Sequence, residues 1–328
     1  MKKLLEVNDL TVSFSFNGQR KNAVNHISFD IFERDFVGLV GESGCGKSVC
    51  AQTILGIENP NANVESGSVK LVGKEMIHLK EKEWIKFRGR NISMVFQEPM
   101  SALNPLMKVG KQIEEVLKIH YNFPKEKNRH LVLETMKKCG LKDVENLYER
   151  YPYELSGGMQ QRIVICLALI ANPRVLIADE PTTALDATIQ MQILSLFREI
   201  ETIYDGGILF ITHDLTLVSR ICKRIIVMYA GCIVEEGPSD ELVENPKHPY
   251  TVGLLKAIPS YKKRGEKLYN IPGHVPPLKI RSNQGCPFFD RCQYTKEICK
   301  KTFPSGKMIE NRLVYCHLYD DSGDLKNE

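Results

Sequence analysis

One stretch of the sequence has the residue types and spacing that bind a nucleoside triphosphate. It fits the pattern G-x-x-x-x-G-K-[ST], whose glycines let backbone N–H groups approach phosphate oxygens. Lys47 would supply positive charge to the β- and γ-phosphates, and the Ser48 hydroxyl would bind Mg²⁺. A chance glycine-rich turn is the alternative, but an apolar strand precedes the pattern and a helix is predicted after it. The residues predicted to hold the nucleotide are Gly41, Glu42, Ser43, Gly44, Cys45, Gly46, Lys47, Ser48 and Val49.

Two acidic residues end another apolar segment. Residues 175–178 are Val-Leu-Ile-Ala, which is typical of a buried strand, and Asp179 and Glu180 follow them. Ligands in parallel α/β sheets bind at the carboxyl ends of the strands. We therefore expect Asp179 to hold Mg²⁺ through water and Glu180 to polarise an attacking water as general base. The alternative is a strand that ends at solvent with charged residues.

Four cysteines lie close together near the end of the sequence, and thiolates are good ligands for soft metals. The four are Cys286, Cys292, Cys299 and Cys316. Four thiolates can hold a tetrahedral zinc ion or a [4Fe-4S] cluster. Their spacing is neither that of common zinc ribbons nor that of bacterial ferredoxins, so it does not decide between these ligands. Unliganded thiols or disulfides stay open, although a reducing cytosol disfavours disulfides.

Alternating strands and helices are predicted to position these residues. The predicted strands are 4–7, 11–16, 27–31, 36–40, 175–178 and 208–212, and the predicted helices include 156–171 and 187–204. Asn17-Gly18 is a turn signal between the first strands. Strand and helix alternating in this way predict a largely parallel sheet with helices on both faces.

Composition excludes several classes of protein. The chain has 328 residues, a formal net charge of +4 and 43% apolar residues, which suits a folded protein of one large domain plus an extension, or two domains. Basic and acidic residues are interleaved, so we predict no nucleic-acid partner. The apolar run 163–171 is too short to cross a bilayer, and acidic residues occur where a signal peptide would need an apolar core. The chain is therefore expected to stay in the cytoplasm.

A further motif identifies a family. Residues 155–162, Leu-Ser-Gly-Gly-Met-Gln-Gln-Arg, resemble the signature sequence of ABC ATPases. Ser156 can cap the helix that follows, and Gly157 and Gly158 free backbone N–H groups for an anion. The resemblance implies that these residues and Gln160 contact ATP bound by a partner cassette.

Other motifs of this family follow in the expected order. Gln97 resembles the Q-loop glutamine, which touches Mg²⁺ and water and relays to the membrane subunit. Asp186 resembles the D-loop aspartate at the dimer interface, and His213 resembles the switch histidine at the γ-phosphate. Phe14 occupies the position of the ring that stacks on adenine, although Phe16 is two residues away on the same strand face.

The resemblance covers roughly residues 1–260 and implies an α/β fold of the P-loop NTPase class. It predicts a RecA-like core with N-terminal antiparallel β strands, a helical subdomain and a small Cys-rich extension. The core would comprise 1–98 and 163–237, the helical signature subdomain 99–162, and the C-terminal extension 238–328. The family sandwiches two ATP molecules between two cassettes, so the resemblance implies ATP hydrolysis by a dimer.

Two stretches narrow the family. Residues 97–105 and 245–251 are similar to segments of the dipeptide, oligopeptide and nickel import ATPases, and we favour peptide over nickel. The resemblance implies a second cassette, more commonly a different chain, two transmembrane permease subunits and an extracytoplasmic solute-binding protein. It also places the chain at the cytoplasmic face of the cell membrane. The rival interpretations are a soluble non-transport ABC ATPase and an iron–sulfur regulator.

The same subfamily resemblance bears on the cysteines. Its members carry a similar carboxy-terminal set associated with an iron–sulfur cluster, and Gly285-Cys286-Pro287-Phe288 and Arg291-Cys292 match it here. The resemblance therefore implies a [4Fe-4S] cluster rather than zinc. A structural staple for a small segment is the favoured role, and redox sensing is the alternative.

Overall fold

The computed structural model describes residues 2–183, 185–258 and 269–320. The strands are β1 (Lys3–Phe16), β2 (Gln19–Phe32), β3 (Phe36–Val40), β4 (Ala62–Leu71), β5 (Lys74–Glu75), β6 (Ile92–Val95), β7 (Val175–Asp179), β8 (Gly207–Thr212), β9 (Arg224–Tyr229), β10 (Cys232–Pro238), β11 (Gly306–Ile309) and β12 (Arg312–Tyr315). The helices are α1 (Lys47–Leu55), α2 (Glu81–Trp84), α3 (Pro99–Ala102), α4 (Val109–His120), α5 (Lys125–Lys138), α6 (Val144–Tyr148), α7 (Gly157–Leu169), α8 (Ala187–Ile203), α9 (Leu215–Ile221), α10 (Ser239–Glu244), α11 (Pro249–Ala257) and α12 (Glu297–Lys301).

The described residues form two compact units, each built from separate stretches of the chain. The first unit takes in Met1–Leu5, Asp30–Phe36 and Lys70–Ile211. The second takes in Glu6–Phe29, Val37–Val69 and Thr212–Glu328. The predicted domain boundaries at 98, 162 and 237 stay predictions.

The first unit is built around parallel strands and a group of helices. β7 lies between β6 and β8 and is parallel to both, with Ala178 opposite Val95 on one side and Phe210 on the other. Every residue of β7 and β8 is buried, as expected for strands that are covered on both faces. Helices α4, α5, α6 and α7 pack against one another. The parallel arrangement predicted for these strands is confirmed.

The helices of the first unit contain a buried charged group. Glu114 on α4 is fully buried and accepts a hydrogen bond from the Tyr148 hydroxyl at 3.0 Å. Lys111 and Lys118 bring their ammonium groups to 3.0 and 3.4 Å from the same carboxylate. Such a carboxylate is tolerated inside a protein only when it is paired in this way. These contacts tie α4 to α6.

The second unit combines a hairpin, a parallel strand pair and the end of the chain. β1 and β2 are neighbours in a sheet, and Asn17 and Gly18 between them have φ values of 49° and 80°. Positive φ at both central residues is what a tight hairpin turn requires, so the predicted turn is confirmed. β3 is parallel to β9, and β9 pairs with β10 in antiparallel fashion.

The segment that follows β10 is part of the second unit. β12 pairs with β10 through Glu235 opposite Val314, and β11 completes a hairpin with β12. Arg312, which is 1% exposed, donates to the backbone carbonyl of Glu241 at 3.0 Å. The cysteine-bearing end of the chain thus belongs to the same compact unit as the predicted phosphate loop.

Among residues 2–183, 185–258 and 269–320, no helix has the length and apolar character needed to cross a bilayer.

Candidate functional site

The predicted phosphate loop connects a buried strand to a helix in the second unit. All of β3 is buried, and α1 begins at Lys47 directly after Gly46. Gly46 has φ 104°, and a Cβ built on it would lie 2.3 Å from the Ala23 carbonyl oxygen. No other residue fits there, because both the backbone conformation and the space exclude a side chain. The strand–loop–helix context predicted from the sequence is therefore present.

The ammonium group of Lys47 lies inside this loop. The residue is 4% exposed, and its Nζ donates to the carbonyl oxygens of Gly41 at 2.7 Å and Glu42 at 3.2 Å. Ser48 follows it in the first turn of α1. Backbone N–H groups at the start of a helix, together with a buried ammonium, favour an anion at this point. The loop can therefore hold phosphate groups.

Residues far along the chain hold the loop in place. The backbone N–H of Glu42 donates to the hydroxyl of Tyr250 at 2.9 Å. Tyr250 is fully buried, and burial, followed by the charges of Glu42 and Cys45, raises the pKa of its hydroxyl, which therefore stays neutral. Arg291 donates to both carboxylate oxygens of Glu42, at 2.7 and 3.2 Å. Analysis of the sequence missed these residues, since nothing local marks a partner more than 200 positions away.

A second arginine of the same segment reaches the loop. Arg281, 4% exposed, donates from Nη2 to the carbonyl oxygens of Gly44 at 3.1 Å and Pro276 at 3.2 Å. Its own carbonyl accepts from Nζ of Lys21 at 3.1 Å. Burial lowers the pKa of Arg281, but a guanidinium still keeps its charge at neutral pH. The loop backbone is thus held by the end of the chain at more than one place.

The predicted carboxylates lie at the carboxyl edge of the parallel strands in the first unit. Asp179 is the last residue of β7 and is 5% exposed. Glu180 follows with φ 45°, an unusual conformation for this residue type, and its N–H donates to the Ile211 carbonyl at 2.9 Å. Its carboxylate accepts from the Thr183 hydroxyl at 2.7 Å. This backbone conformation costs free energy, and the contact with Ile211 holds it in place.

The other predicted contacts of the nucleotide occupy loop and strand-end positions. Gln97 is exposed two residues beyond the end of β6, on the same edge as Asp179 within the first unit. His213 is exposed and follows the last residue of β8. Phe14 and Phe16 both line one open cavity with Asn61 in the second unit, so the structure does not choose between the two rings.

The signature residues start a helix of the first unit. The Ser156 hydroxyl caps α7 by accepting from the Met159 N–H at 3.4 Å. A Cβ on Gly158 would lie 2.8 Å from a methyl carbon of Ile189, so a glycine permits close packing against α8. Gln160 is 7% exposed, and its Nε2 donates to the carbonyl of Pro152 at 2.8 Å. Gln160 therefore braces the preceding loop, while the predicted contacts of the signature with a partner's ATP stay predictions.

Asp186 of the predicted D-loop caps helix α8. The Oδ1 atom of Asp186 accepts from the backbone N–H groups of Thr188 at 2.9 Å and Ile189 at 3.0 Å. Ala184, which belongs to the same predicted loop, lies outside the described residues. We expect Asp186→Ala to lower the free energy of unfolding by about 1 kcal/mol, because the cap is lost. Asp186→Asn, which keeps an accepting oxygen, should lose less in the same denaturant titration. Equal stability of all three proteins would contradict this role.

The four clustered cysteines line one cavity of the second unit. Its other lining residues are mostly aromatic or aliphatic, and the full set is His248, Cys286, Phe288, Phe289, Cys292, Tyr294, Lys296, Cys299, Cys316, His317 and Leu318. All ten cysteines are free thiols. Across residues 2–183, 185–258 and 269–320, no group of three or more His, Cys, Asp or Glu side chains has a metal-binding arrangement. The thiols share a cavity, but as they stand they do not form a coordination site.

Burial and backbone hydrogen bonds act in opposite directions on the thiols of this cavity. Burial, together with the neighbouring cysteines, raises the pKa of Cys286 to about 12 and that of Cys316 to about 11. Hydrogen bonds from the backbone of residues two positions further along the chain act in the opposite direction at Cys286, Cys292 and Cys316. Cys299 Sγ accepts from the Lys296 N–H at 3.4 Å. Each sulfur therefore has a backbone donor that would stabilise it as a thiolate.

Two family patterns match the chain. Residues 24–183 match the ABC transporter pattern, and residues 234–299 match the pattern of the oligopeptide/dipeptide transporter C-terminal region. The first covers the phosphate loop, the signature and the carboxylates. The second includes three of the clustered cysteines.

Curated proteins are similar over nearly the whole chain. The dipeptide transport ATP-binding protein DppD of Bacillus subtilis is 43% identical, and the match covers 100% of both chains. The oligopeptide transport ATP-binding protein OppD of Escherichia coli is 41% identical over 95% of this chain and 92% of that protein.

Solved structures show the same fold. The dimeric ATP-binding cassette MJ0796, in a post-hydrolysis state bound to ADP and Pi, has a TM-score of 0.64 at 27% identity, covering 72% of this chain and 99% of that one. The protein cbiO1 of Clostridium perfringens, part of the ABC transporter complex cbiONQ, has a TM-score of 0.65 at 26% identity, covering 75% and 92%. The predicted α/β P-loop NTPase fold of an ABC cassette is confirmed.

Proposed function

This chain belongs to the ABC transporter family, in its dipeptide and oligopeptide branch, and on that basis we propose that it is the ATP-hydrolysing subunit of a peptide importer. The relatives that match it end to end are named for dipeptide and oligopeptide transport. The observation that carries the proposal is the buried Lys47 ammonium in a glycine loop between β3 and α1. Such a loop grips a triphosphate, and the remaining motifs supply what hydrolysis requires.

Hard oxygen donors of the chain fit the Mg²⁺ that accompanies ATP in this family. Ser48 begins a helix beside Lys47, and Asp179 ends a buried strand. Hydroxyl and carboxylate oxygens are the ligands that Mg²⁺ prefers, and Gln97 offers an amide oxygen. When bound, the ion would neutralise charge that develops on the phosphates. Ser48, Asp179 and Gln97 are the residues proposed to hold it.

The remaining residues divide the work of hydrolysis. Lys47 draws the β- and γ-phosphates into the loop. Glu180 would accept a proton from the attacking water as general base, and its hydrogen bond with Thr183 restricts the orientation of its carboxylate. His213 is proposed to contact the γ-phosphate. Phe14 is proposed as the ring on which adenine stacks, with Phe16 as the alternative in the same cavity.

The proposed assembly contains two cassettes and membrane subunits. The signature segment, with its capped helix start, would meet ATP held by the partner cassette, and the D-loop aspartate would lie at that interface. A cassette similar to this chain has been solved as a dimer. We propose a heterodimer of cassettes at the cytoplasmic face of the membrane, bound to two permease subunits that receive peptide from a solute-binding protein. ATP binding would close the dimer and hydrolysis would open it.

Transport can be tested directly. The full chain, tagged and isolated from membranes, is expected to bring with it permease subunits and a second cassette. After reconstitution of that complex in vesicles, peptide uptake should require both ATP and this chain. Isolation of the chain without any membrane subunit, or ATP-driven uptake of nickel but not peptide, would contradict the proposed function.

We also propose a [4Fe-4S] cluster on the four clustered cysteines, with zinc as the alternative. The support is chemical: the soft sulfur donors share one largely apolar cavity, and each has a backbone N–H donor. Burial, more than the neighbouring cysteines, raises the pKa values of Cys286 and Cys316, and cationic iron would favour their thiolate form. A cluster here would staple a segment that has little apolar core.

Replacement of two ligands tests the cluster. We expect the chain purified without oxygen to contain iron and sulfide and to show broad visible absorbance, and Cys292→Ser combined with Cys316→Ser to remove both. The matched control is Cys222→Ala, a buried cysteine of the same unit outside the cavity, which should keep the iron. Zinc without colour would support the alternative. Protein without either metal would exclude both.

A further inference from the structure

Glu42 belongs to the phosphate loop, yet its carboxylate forms an ion pair with Arg291, which lies near the other end of the chain. Arg291 reaches it with Nη1 at 2.7 Å and Nη2 at 3.2 Å, which is a two-point contact. The arginine side chain is 6% exposed and that of Glu42 is 32% exposed. An ion pair with two parallel hydrogen bonds and limited contact with water holds the carboxylate in one orientation and also neutralises its charge.

The Arg291 guanidinium is itself held in place. Its Nε donates to the Pro272 carbonyl at 2.8 Å, and its Nη1 donates to the Tyr229 hydroxyl at 3.3 Å. The aromatic ring of Phe288 lies beside the same group. With most of its donors engaged, the guanidinium has little freedom to follow a carboxylate that moves. It therefore imposes one position on Glu42.

An acidic residue in a loop that binds a polyanion has an electrostatic cost. Glu42 is next to Gly41, whose carbonyl accepts from the Lys47 ammonium, so its carboxylate is part of the surroundings of the phosphates. Unpaired, it would repel them and compete for the positive charge of Lys47. Paired with Arg291, the Glu42 carboxylate is neutralised and held by two hydrogen bonds. The hydrogen bond from the Glu42 N–H to Tyr250 fixes the backbone at the same residue.

We propose that Arg291 is a positioning residue for ATP binding: it acts through Glu42, neutralising and orienting that side chain so that the phosphate loop accepts the triphosphate. This inference rests on the proposed function, since it assumes that ATP binds in the loop. The segment that carries the clustered cysteines would then support ATP binding in addition to holding any metal group of its own. Arg291 directly precedes Cys292, so the same short segment serves both.

A cycle of single and double replacements separates this role from a general loss of structure. We expect Arg291→Gln to weaken binding of a fluorescent ATP analogue to the full chain about tenfold, because Glu42 is left unpaired beside the phosphates. Glu42→Gln, which leaves the loop backbone unchanged, should bind the analogue more tightly than Arg291→Gln does. The double variant should bind within about twofold of Glu42→Gln, since no carboxylate remains to be neutralised. The affinity of Arg291→Lys, which keeps the charge but not the two-point contact, should fall between those of Arg291→Gln and the unaltered chain.

Two further readouts make the cycle decisive. The loss in Arg291→Gln should shrink as salt concentration rises, because an unscreened charge causes it. The matched control is Arg224→Gln, which breaks a part-buried pair with Glu236 at the other end of β9 and should leave ATP affinity unchanged. The thermal unfolding midpoint of each variant is compared with that of the unaltered chain, which detects any general loss of structure.

The outcomes are distinct. If the affinity lost in Arg291→Gln persists in the double variant, Arg291 does not act through Glu42 and the inference is overturned. Unchanged affinity in Arg291→Gln has the same consequence. If the unaltered chain does not bind ATP at all, the proposed function fails instead, and the two failures are not confused.

Discussion

Replacement of Lys47 by alanine is expected to abolish nucleotide binding at working concentrations of ATP. The ammonium is almost fully buried, and two loop carbonyls hold it at 2.7 and 3.2 Å, so it is placed rather than mobile. Removing one partner of a buried, hydrogen-bonded charge contact costs about 3 kcal/mol, which corresponds to a loss of affinity on the order of 100-fold. Titration of a fluorescent ATP analogue into the full chain measures this loss.

Two comparisons make the Lys47 result specific. Lys47→Arg keeps the positive charge but brings a larger planar group into a tight loop, so it should retain only part of the affinity. Lys70→Ala removes an exposed lysine on β4 and should change nothing. Unaltered ATP affinity and turnover in Lys47→Ala would refute the assignment of the loop, and with it the proposed function.

Replacement of Glu180 by glutamine is expected to separate binding from hydrolysis. Glutamine keeps an oxygen that can accept from Thr183, and the backbone contact with Ile211 does not depend on the side chain. ATP affinity should therefore stay within about twofold, while turnover falls on the order of 100- to 10,000-fold because the general base is lost. Phosphate release by the complex with its membrane partners is the measurement.

The conformational state that accumulates in Glu180→Gln provides a second test of the role of Glu180. With ATP present, Glu180→Gln should accumulate as a closed cassette dimer, since binding proceeds and the opening step does not. The control is Glu199→Gln, an exposed position on α8 that should turn over normally. Full turnover in Glu180→Gln would show that another group activates the water.

Short-range patterns were sufficient for the motifs and for much of the fold. The loop at 41–48 is recognisable because its fixed positions perform local tasks, such as the left-handed conformation at Gly46. The Asn17-Gly18 turn and the continuous apolar runs of β3 and β7 are likewise encoded by neighbouring residues. The element bounds shifted slightly: the strands predicted at 4–7 and 11–16 form one strand, β1, because the sheet continues through Asn8, Asp9 and Leu10 between them.

Long-range partners could not be found in this way. Tyr250, Arg281 and Arg291 contact the phosphate loop from more than 200 residues further along the chain, and no local pattern predicts those contacts. Gln160 falls within a recognised motif, yet the tertiary structure turns its amide toward carbonyls of the segment that precedes α7. Spacing alone likewise did not show that the four cysteines share one cavity with aromatic walls.

The sequence by itself therefore determined which chemistry this protein can perform, because the loop, the carboxylates and the signature each need particular residue types at fixed local spacing. The tertiary structure decided what supports that chemistry, because electrostatic and packing contacts depend on distance in space and not on separation along the chain. The pairing of Glu42 with Arg291 is the clearest instance: the acidic residue of the phosphate loop acquires its countercharge only when the chain has folded.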